Sequence, residues 1–565
     1  MASKEERRLL LPSKQIIKSF IGLFSLSAGI YGVLYLIDFW GVATGGPVGL
    51  VFSKGAVETL GSLGEITVAI LGIALTVIAI IVELSAQRYT PRVTELFVRD
   101  PVNIAMLAFF SVTAVIVFWV NMSLFGPKHP RAMVFVTWVF MSLALLALLP
   151  YFAYVFDFLS PTKVVARIRI NTSDGITRGT RPDLSTKKFD AARNVVVGGI
   201  EQLGEMALNS IDKKDKAIAI SSLEALATLA EDALRYKSQL PDEWFDTEFL
   251  TRGDPDFVAL HKVMVQALQD RKTWMEMKIF RQYQTCFSAS AKVSADINHL
   301  IAIHTRRIAT YASAVGDLQT MTMAMRFMNT YMRATINAGD VRGAYNALNE
   351  YRILGEALLV RGYDPLLVEL AGYLKFYGQL AFTMNKAFIL ESAAYDLCAL
   401  LELAHKNKNP CHETLLTIFL DVDREPEGER SQERALRGVR KAQVKLATYY
   451  LVHGERDLAR RIYVDMKDEL TTRLQSIQME LHSIEEPEYW EVSDRGINFD
   501  YLEPARRKTL AEFFGWFQED TGIAIPLMLP DHDEWSEVTP GGTVRMEKLQ
   551  RAMAEAERID RNNPT

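Results

Sequence analysis

The residues of this chain best placed for chemistry are ionisable groups beside long apolar runs. Glu83, Gln87, Arg88, Tyr89, Thr90, Pro91, Arg92 and Asp100 crowd together between two uncharged stretches. A carboxylate inside a bilayer is costly and marks ion pathways or proton relays; at the interface that cost falls. Glu83, about one turn before Arg88, therefore has two readings: a boundary residue paired with the arginine, which is preferred, or a group at a pore mouth. Asp38, at the far end of the first apolar run, is read the same way. Thr90-Pro91 and Asp100-Pro101 each join a capping side chain to a proline, which suits the first helical position. The pattern predicts a short surface helix from Pro91 to Arg99 and a new helix from Pro101. On the short helix Val93, Leu96 and Phe97 share one face, while Arg92, Glu95 and Arg99 have ion-pair spacing on another. Such a helix suits the headgroup layer.

Four apolar runs, about 16–40, 64–86, 101–125 and 132–157, position these groups within a transmembrane region 1–160. Each is near the ~20 residues that cross a bilayer. The first follows Lys4, Arg7, Arg8, Lys14 and Lys18 but is long and lacks a cleavage site, so it reads as an anchor and not a signal peptide. Lys and Arg are concentrated on the side of the amino-terminal tail, the 84–102 turn and Lys163, Arg167 and Arg169, which predicts both termini in the cytoplasm. Trp40, Trp119, Tyr151 and Tyr154 are candidate interface anchors. Gly22, Ser25, Ala28, Gly29 and Gly32 suit close helix approach, and packing within the bundle is preferred over oligomerisation. Thr76 and Asn121 are expected to face the bundle interior. The glycine-rich segment 41–64 reads as an external loop or a re-entrant one.

The stretch from Leu71 through Ala86-Gln87-Arg88-Tyr89-Thr90-Pro91-Arg92 and on to Leu96-Phe97-Val98-Arg99-Asp100 resembles a family of bacterial predicted membrane proteins of unknown function. In that family the second span ends in a Gln-x-x-Tyr/Phe-Ser/Thr-Pro-Arg motif. A second echo is Gln202–Ser210, although the family's following Ser-Pro-x-x-Asn-Asp-Pro loop is replaced here by Ile211–Lys216. The resemblance covers about residues 15–235. It implies a four-span bundle with a cytoplasmic domain, a bacterial cytoplasmic membrane location, and no known activity.

Beyond the spans, 161–188 is polar with Gly and Pro and reads as a linker. Residues 189–484 show helical periodicity almost throughout, with Asp190–Asn209, Lys216–Lys237, Phe257–Thr285, Ser290–Ala314, Asp317–Ala338 and Gly343–Val360 as expected helices. Residues 443–470 resemble a tetratricopeptide unit: Leu446, Ala447, Tyr450, Gly454, Ala459 and Tyr463 match its spacing, while Gln443 and Met466 depart from it. Gly454 would permit the turn and Ala459 the close approach of the second helix. Tyr331–Tyr351, with Gly339 and Ala344, is a fainter copy. The fold class is therefore all-α: a four-helix transmembrane bundle and a large cytoplasmic α-solenoid-like domain. Residues 485–565 read as irregular, with a short helix Leu510–Phe517 and a terminal helix Val544–Ile559.

No phosphate loop, dinucleotide fingerprint, zinc-protease motif or nucleophile elbow is present. The run Asp421, Asp423, Glu425, Glu427, Glu429 lacks the glycine and glutamate of a calcium loop and reads as solvated. His405, Cys411 and His412 lack a fourth ligand at suitable spacing, as do Asp531, His532 and Asp533; His299 and His304 lie off a shared face. Cys286, Cys398 and Cys411 form no disulfide framework. No cofactor, metal or catalytic activity is expected. Residues 1–170 hold 14 Lys/Arg against 9 Asp/Glu, whereas the rest is acidic within a net charge of −5, which argues against nucleic acid. Two functions remain: a bilayer-anchored helical domain that binds a cytoplasmic protein on a concave surface, or a homo-oligomeric ion channel or transporter gated by that domain.

Overall fold

The computed structural model describes residues 25–37, 40, 54–88, 94, 97–98, 100–123, 131–182, 185–251, 254–258, 260–291, 293–423, 433–488, 494–496 and 498–521. The chain divides into two compact units, Met1–Ile170 and Asn171–Thr565. The described residues contain no strand.

In the first unit lie α1 (Ser25–Ile37), α2 (Lys54–Arg88), α3 (Pro101–Ser123) and α4 (Arg131–Phe158). Three described helices are long and apolar enough to cross a membrane: Ser62–Gln87, Pro101–Ser123 and Ala132–Phe158. The first expected span is described only over α1. The expected loop 41–64 is helical from Lys54, and its residues 41–53 lie outside the described residues. Glycine there does not signal a loop: a Cβ on Gly64 would stand 2.8 Å from Val117 Cγ1, so the residue lets α2 approach α3.

Leu34, Val112, Ile116, Val117, Val120, Met133, Val134 and Met141 form the bundle core. Thr67, Thr113 and Thr137 are buried, and each hydroxyl donates to the carbonyl four residues earlier, which satisfies it without water. Two expectations fail, that for Thr76 and that for the glycines of α1. Thr76 is exposed and bonds to the Gly72 carbonyl, because α2 buries Leu71, Ala74, Ile78, Val82 and Ala86 instead; Asn121 is half-buried. Nor do Gly29 and Gly32 of α1 make a close approach in the bundle: a Cβ on either would meet nothing within 4 Å, and Gly22 lies outside the described residues. Ser27 and Leu34, two turns apart, face the bundle, leaving Ser25, Ala28 and Gly29 exposed.

The expected linker is largely helix: α5 runs from Pro161 to Gly179. Its polar composition hides a helical stripe of buried Val164, Val165, Ile168, Thr172 and Ile176. There follow α6 (Thr186–Asp212), α7 (Lys216–Tyr236), α8 (Lys262–Asp270), α9 (Trp274–Ser290), α10 (Ala295–Val315), α11 (Leu318–Ala338), α12 (Val341–Arg361), α13 (Asp364–Thr383), α14 (Ala387–Lys406), α15 (His412–Leu420), α16 (Glu433–Val452), α17 (Arg456–Met466), α18 (Thr471–Ser483) and α19 (Pro504–Thr521). The helix expected over 257–285 is two, broken where Lys272 takes a left-handed φ of 54°. The expected helix 510–517 extends to Pro504 and Thr521, and the expected terminal helix 544–559 lies outside the described residues.

From α10 onward the turns keep strict register. Gly316, Gly339, Gly362, Asn385 and Lys408 are left-handed and 23 residues apart, and Gly454 falls two such steps later. After each, the next N–H returns to a carbonyl five residues back, as in Asp317 to Ala312, Asp340 to Thr335, Tyr363 to Leu358, Lys386 to Ala381, Asn409 to Ala404 and Glu455 to Tyr450. This is a Schellman stop, which favours glycine but admits asparagine. Asp317 and Asp340 then cap the next helix by accepting from Thr320 and Gly343 N–H. The resulting hairpins pack in two rows: α7, α10, α12, α14 and α16 side by side, and α9, α11, α13 and α15 in the other. This is an α-solenoid arrangement. Its hairpin period, read from Gly316 to Gly362, is 46 residues, longer than the 34 of a tetratricopeptide unit.

Candidate functional site

The polar turn between α2 and α3 is built around Asp100. Its Oδ1 accepts from the Val102 and Asn103 N–H groups, both at 3.1 Å, and from the Tyr154 hydroxyl of α4 at 2.8 Å. Buried Asn103 donates through Nδ2 to the Phe97 carbonyl at 3.0 Å. Phe97 meets Phe158 edge-on, and the Arg167 guanidinium lies 3.8 Å from the Phe158 ring while donating to the Phe158 carbonyl. One capping carboxylate thus ties α3 to α4, and the aromatic pair brings in the start of α5. Among residues 91–99, Thr94, Phe97 and Val98 are described and helical.

Glu83 stands apart from this knot. It is exposed on the outer face of α2, beside exposed Leu84, and accepts from Gln87 Nε2 at 3.1 Å. Tyr89, Thr90, Pro91, Arg92 and the Arg88 side chain lie outside the described residues, as does Asp38. Of the anchors, Trp40 is exposed, Trp119 packs edge-on against Tyr31, and Tyr151 is buried against Phe110. Tyr31 also shares a 2.5 Å hydrogen bond with Ser123.

In the helical unit, Gly454 has φ +82° at its turn, and Ala459 is fully buried, each as its type requires. What sequence reading missed is the buried charge. Lys278 is fully enclosed, its Nζ 2.7 Å from Asp254, 2.8 Å from Asp256 and 3.0 Å from Glu201. Along one row of helices Arg307 pairs with Glu231, Arg306 with Glu350, Arg352 with Asp396 and Lys441 with Glu391. Arg306 and Arg352 occupy equivalent places one hairpin apart, a signal that repeat-length alignment of the charges would have exposed.

Residues 494–496 and 498–500, between α18 and α19, lie across this row. Arg342 of α12 grips Asp494 with two nitrogens, at 2.8 and 2.9 Å, and Asn346 adds a bond at 2.8 Å. The Arg342 hydrogen bonds, then that of Asn346, hold the Asp494 carboxyl down at about 2. Arg495 binds Asp396 of α14 at 2.7 Å, donates to the Tyr345 carbonyl and lies 4.0 Å from the Tyr345 ring. Phe499 stacks on Tyr395 at 4.6 Å. Asp500 accepts from the Tyr395 hydroxyl at 2.5 Å and from Lys441 of α16 at 2.8 Å, while Lys445 donates to the Phe499 carbonyl at 2.8 Å. Burial pulls the Lys445 ammonium down; at Lys441 burial is outweighed by Asp500, Glu391 and Glu480, which push it up.

The fold also gathers His405, His412 and His453, with His405 ring centroids 5.5 Å from His412 and 5.9 Å from His453. His412 Nε2 is 2.8 Å from the Tyr450 hydroxyl, and burial lowers the imidazole's pKa. The described residues contain no group of three His, Cys, Asp or Glu that could hold a metal ion. His299 and His304, expected apart, serve separate carboxylates, Glu350 at 3.4 Å and Glu224 at 3.0 Å. The acidic run is not simply solvated: Asp423 is buried against Arg440 at 2.6 Å, with burial pushing its carboxyl up to about 6, and Asp421 pairs with Lys375. Glu425, Glu427, Glu429, Asp531, His532 and Asp533 lie outside the described residues.

No curated protein matches this chain. A solved chain described as "Circular tandem repeat protein with novel repeat topology and enhanced subunit contact surfaces" is similar at 15% identity, covering 83% of this chain and 97% of that chain with a TM-score of 0.25, which is too low to carry an argument. Residues 20–217, which hold the apolar helices, the Asp100 knot and α5 and α6, are similar to the family described as predicted membrane protein, DUF2254.

Proposed function

We propose that this membrane protein anchors a helical protein-interaction domain to the bilayer, with both termini in the cytoplasm and, in the family context, in a bacterial cytoplasmic membrane. The observation that carries this reading is the register of hairpins from α10 to α17, which lines up side chains of successive helices on a continuous face. Such arrays serve as extended binding surfaces. No catalytic role is proposed for any residue. The test is capture of a protein partner from cells by the full chain, beside a chain ending after residue 170. Capture that both chains share, or that neither shows, would sink the reading.

A second reading is favoured by a specific feature. Glu83 and the Ser25, Ala28 and Gly29 face of α1 point out of the described bundle, where a second copy could meet them. A homo-oligomeric channel or transporter, gated by the helical domain, would use them so. Ion flux through purified protein in liposomes, wild type beside Glu83→Gln, decides it. Flux that responds to the substitution supports a pore; flux equal to empty liposomes removes the channel.

A further inference from the structure

The segment Asp494–Asp500 makes contacts of a kind expected for a bound peptide rather than for a core element. Its side-chain anchors are one carboxylate in an arginine–asparagine clamp, one arginine in an ion pair that also stacks on Tyr345, one stacked phenylalanine and a second carboxylate on Lys441. A few charged and aromatic anchors amid weaker contacts are how peptide and protein interfaces concentrate their energy.

The face beneath would survive its departure. Asp396 keeps Arg352 at 3.5 Å, and Lys441 keeps Glu391 at 3.3 Å and Glu480 at 3.5 Å. Arg342 is already exposed to water. Lys445 gives up the Phe499 carbonyl, but Asp396 and Lys441 each keep an opposite charge, so no ion pair of the row is left with one buried member alone, the condition that makes removing one partner so costly. The flanking helices do not depend on the segment either: α18 and α19 pack on each other and on α16. The contacts of Asp494, Arg495, Phe499 and Asp500 can therefore break while α18 and α19 stay packed.

We propose that the face formed by α12, α14 and α16 is a peptide-binding site for segments of the pattern Asp-Arg-x-x-x-Phe-Asp, occupied in cis by residues 494–500 and open to a partner protein carrying the same chemistry. Arg342 and Asn346 read the first acid, Asp396 and Tyr345 read the arginine, Tyr395 stacks on the aromatic ring, and Lys441 with the Tyr395 hydroxyl reads the last acid. A tethered ligand has an effective concentration in the millimolar range. The free-standing affinity for a partner is accordingly masked by the small fraction of open sites. This specifies the partner class of the interaction domain and rests on that reading.

The experiment uses the full chain in nanodiscs and a fluorescein-labelled peptide of residues 492–502, read by anisotropy. The chain carrying Arg495→Ala and Phe499→Ala should bind the peptide at least tenfold more tightly than wild type. Adding Asp396→Asn and Tyr395→Ala should abolish that gain, and a scrambled peptide should not bind. Equal binding to wild type and to the doubly substituted chain, or binding to neither, overturns the proposal. Should the substituted chain misfold, hydrogen exchange in wild type decides: amides of 494–502 should exchange by local opening well before the α14 core. Exchange of both only on global unfolding overturns it. If the peptide fails while the full chain still captures a partner that the truncated chain does not, this site is wrong and the interaction domain stands.

Discussion

Helices α3 and α4 of the first unit and α12 and α14 of the second are similar in length and obey opposite solvent logic. The outer faces of the membrane helices are apolar, with Leu146 72% and Leu149 79% exposed, while their buried polar groups are threonines and Asn103 bonded to local carbonyls. In the helical unit the core is Leu, Ala and aromatic residues, and beside neutral groups such as Ser222 and Thr305 it buries full charges such as Glu350, Asp396 and Lys278, each held by an opposite charge. Lipid does not penalise exposed leucine but offers no hydrogen bond, so the buried threonines and Asn103 of the first unit bond to nearby carbonyls, and Tyr154 and Tyr31 bond to Asp100 and Ser123. Water outside the second unit solvates the helix backs and ends, and long-range ion pairs can fix which helix lies beside which. The difference teaches that one unit keeps its buried polarity neutral while the other pairs full charges between neighbouring helices.

Lys278 gives the harshest test of the second half of that comparison. Lys278→Ala strands Asp254, Asp256 and Glu201 around a buried hole, and should destabilise the helical unit by about 3–5 kcal/mol. The check is its denaturant midpoint by circular dichroism, with the membrane unit held in detergent. An unchanged midpoint would mean that those carboxylates reach water and that charge does not govern the packing. Next in size is Leu146→Asp on the outward face of α4. It should cost about 3–4 kcal/mol of insertion free energy, measured by glycosylation mapping in microsomes. A neutral result would place that face against protein or water, and would sharpen the second-copy reading. Smallest is Asp100→Ala. Losing the cap and the Tyr154 acceptor should cost roughly 1–2 kcal/mol, seen as a lower thermal midpoint in detergent. Asp100→Asn should recover part of it, since an amide oxygen still accepts from the Val102 and Asn103 N–H groups.

Sequence reading failed where a pattern had two physical causes. Gly64 looked like loop because glycine breaks isolated helices, yet a close helix contact also demands it. Residues 161–179 looked like linker because their average is polar, although one stripe of the helix is buried. The small residues of α1 were placed on the bundle side, whereas Ser27 and Leu34 take it. Asp494, Arg495, Phe499 and Asp500 read as loop in the sequence; their seat on three helices depends on residues 59 to 152 positions away, as the Lys441 and Arg342 bonds show.

The sequence alone determined the membrane character, the all-helical class, the start of α3 at Asp100-Pro101 and the turn at Gly454. These follow from local free energies: transfer of apolar side chains, proline and cap geometry, and the left-handed conformation. Only the tertiary structure decided that the hairpins keep a 46-residue period in two rows, that Glu83 faces outward, and that Arg495 and Phe499 lie across α12 and α14. Those outcomes depend on which distant charges and rings meet, and the cost of burying a charge unpaired depends on partners far along the chain.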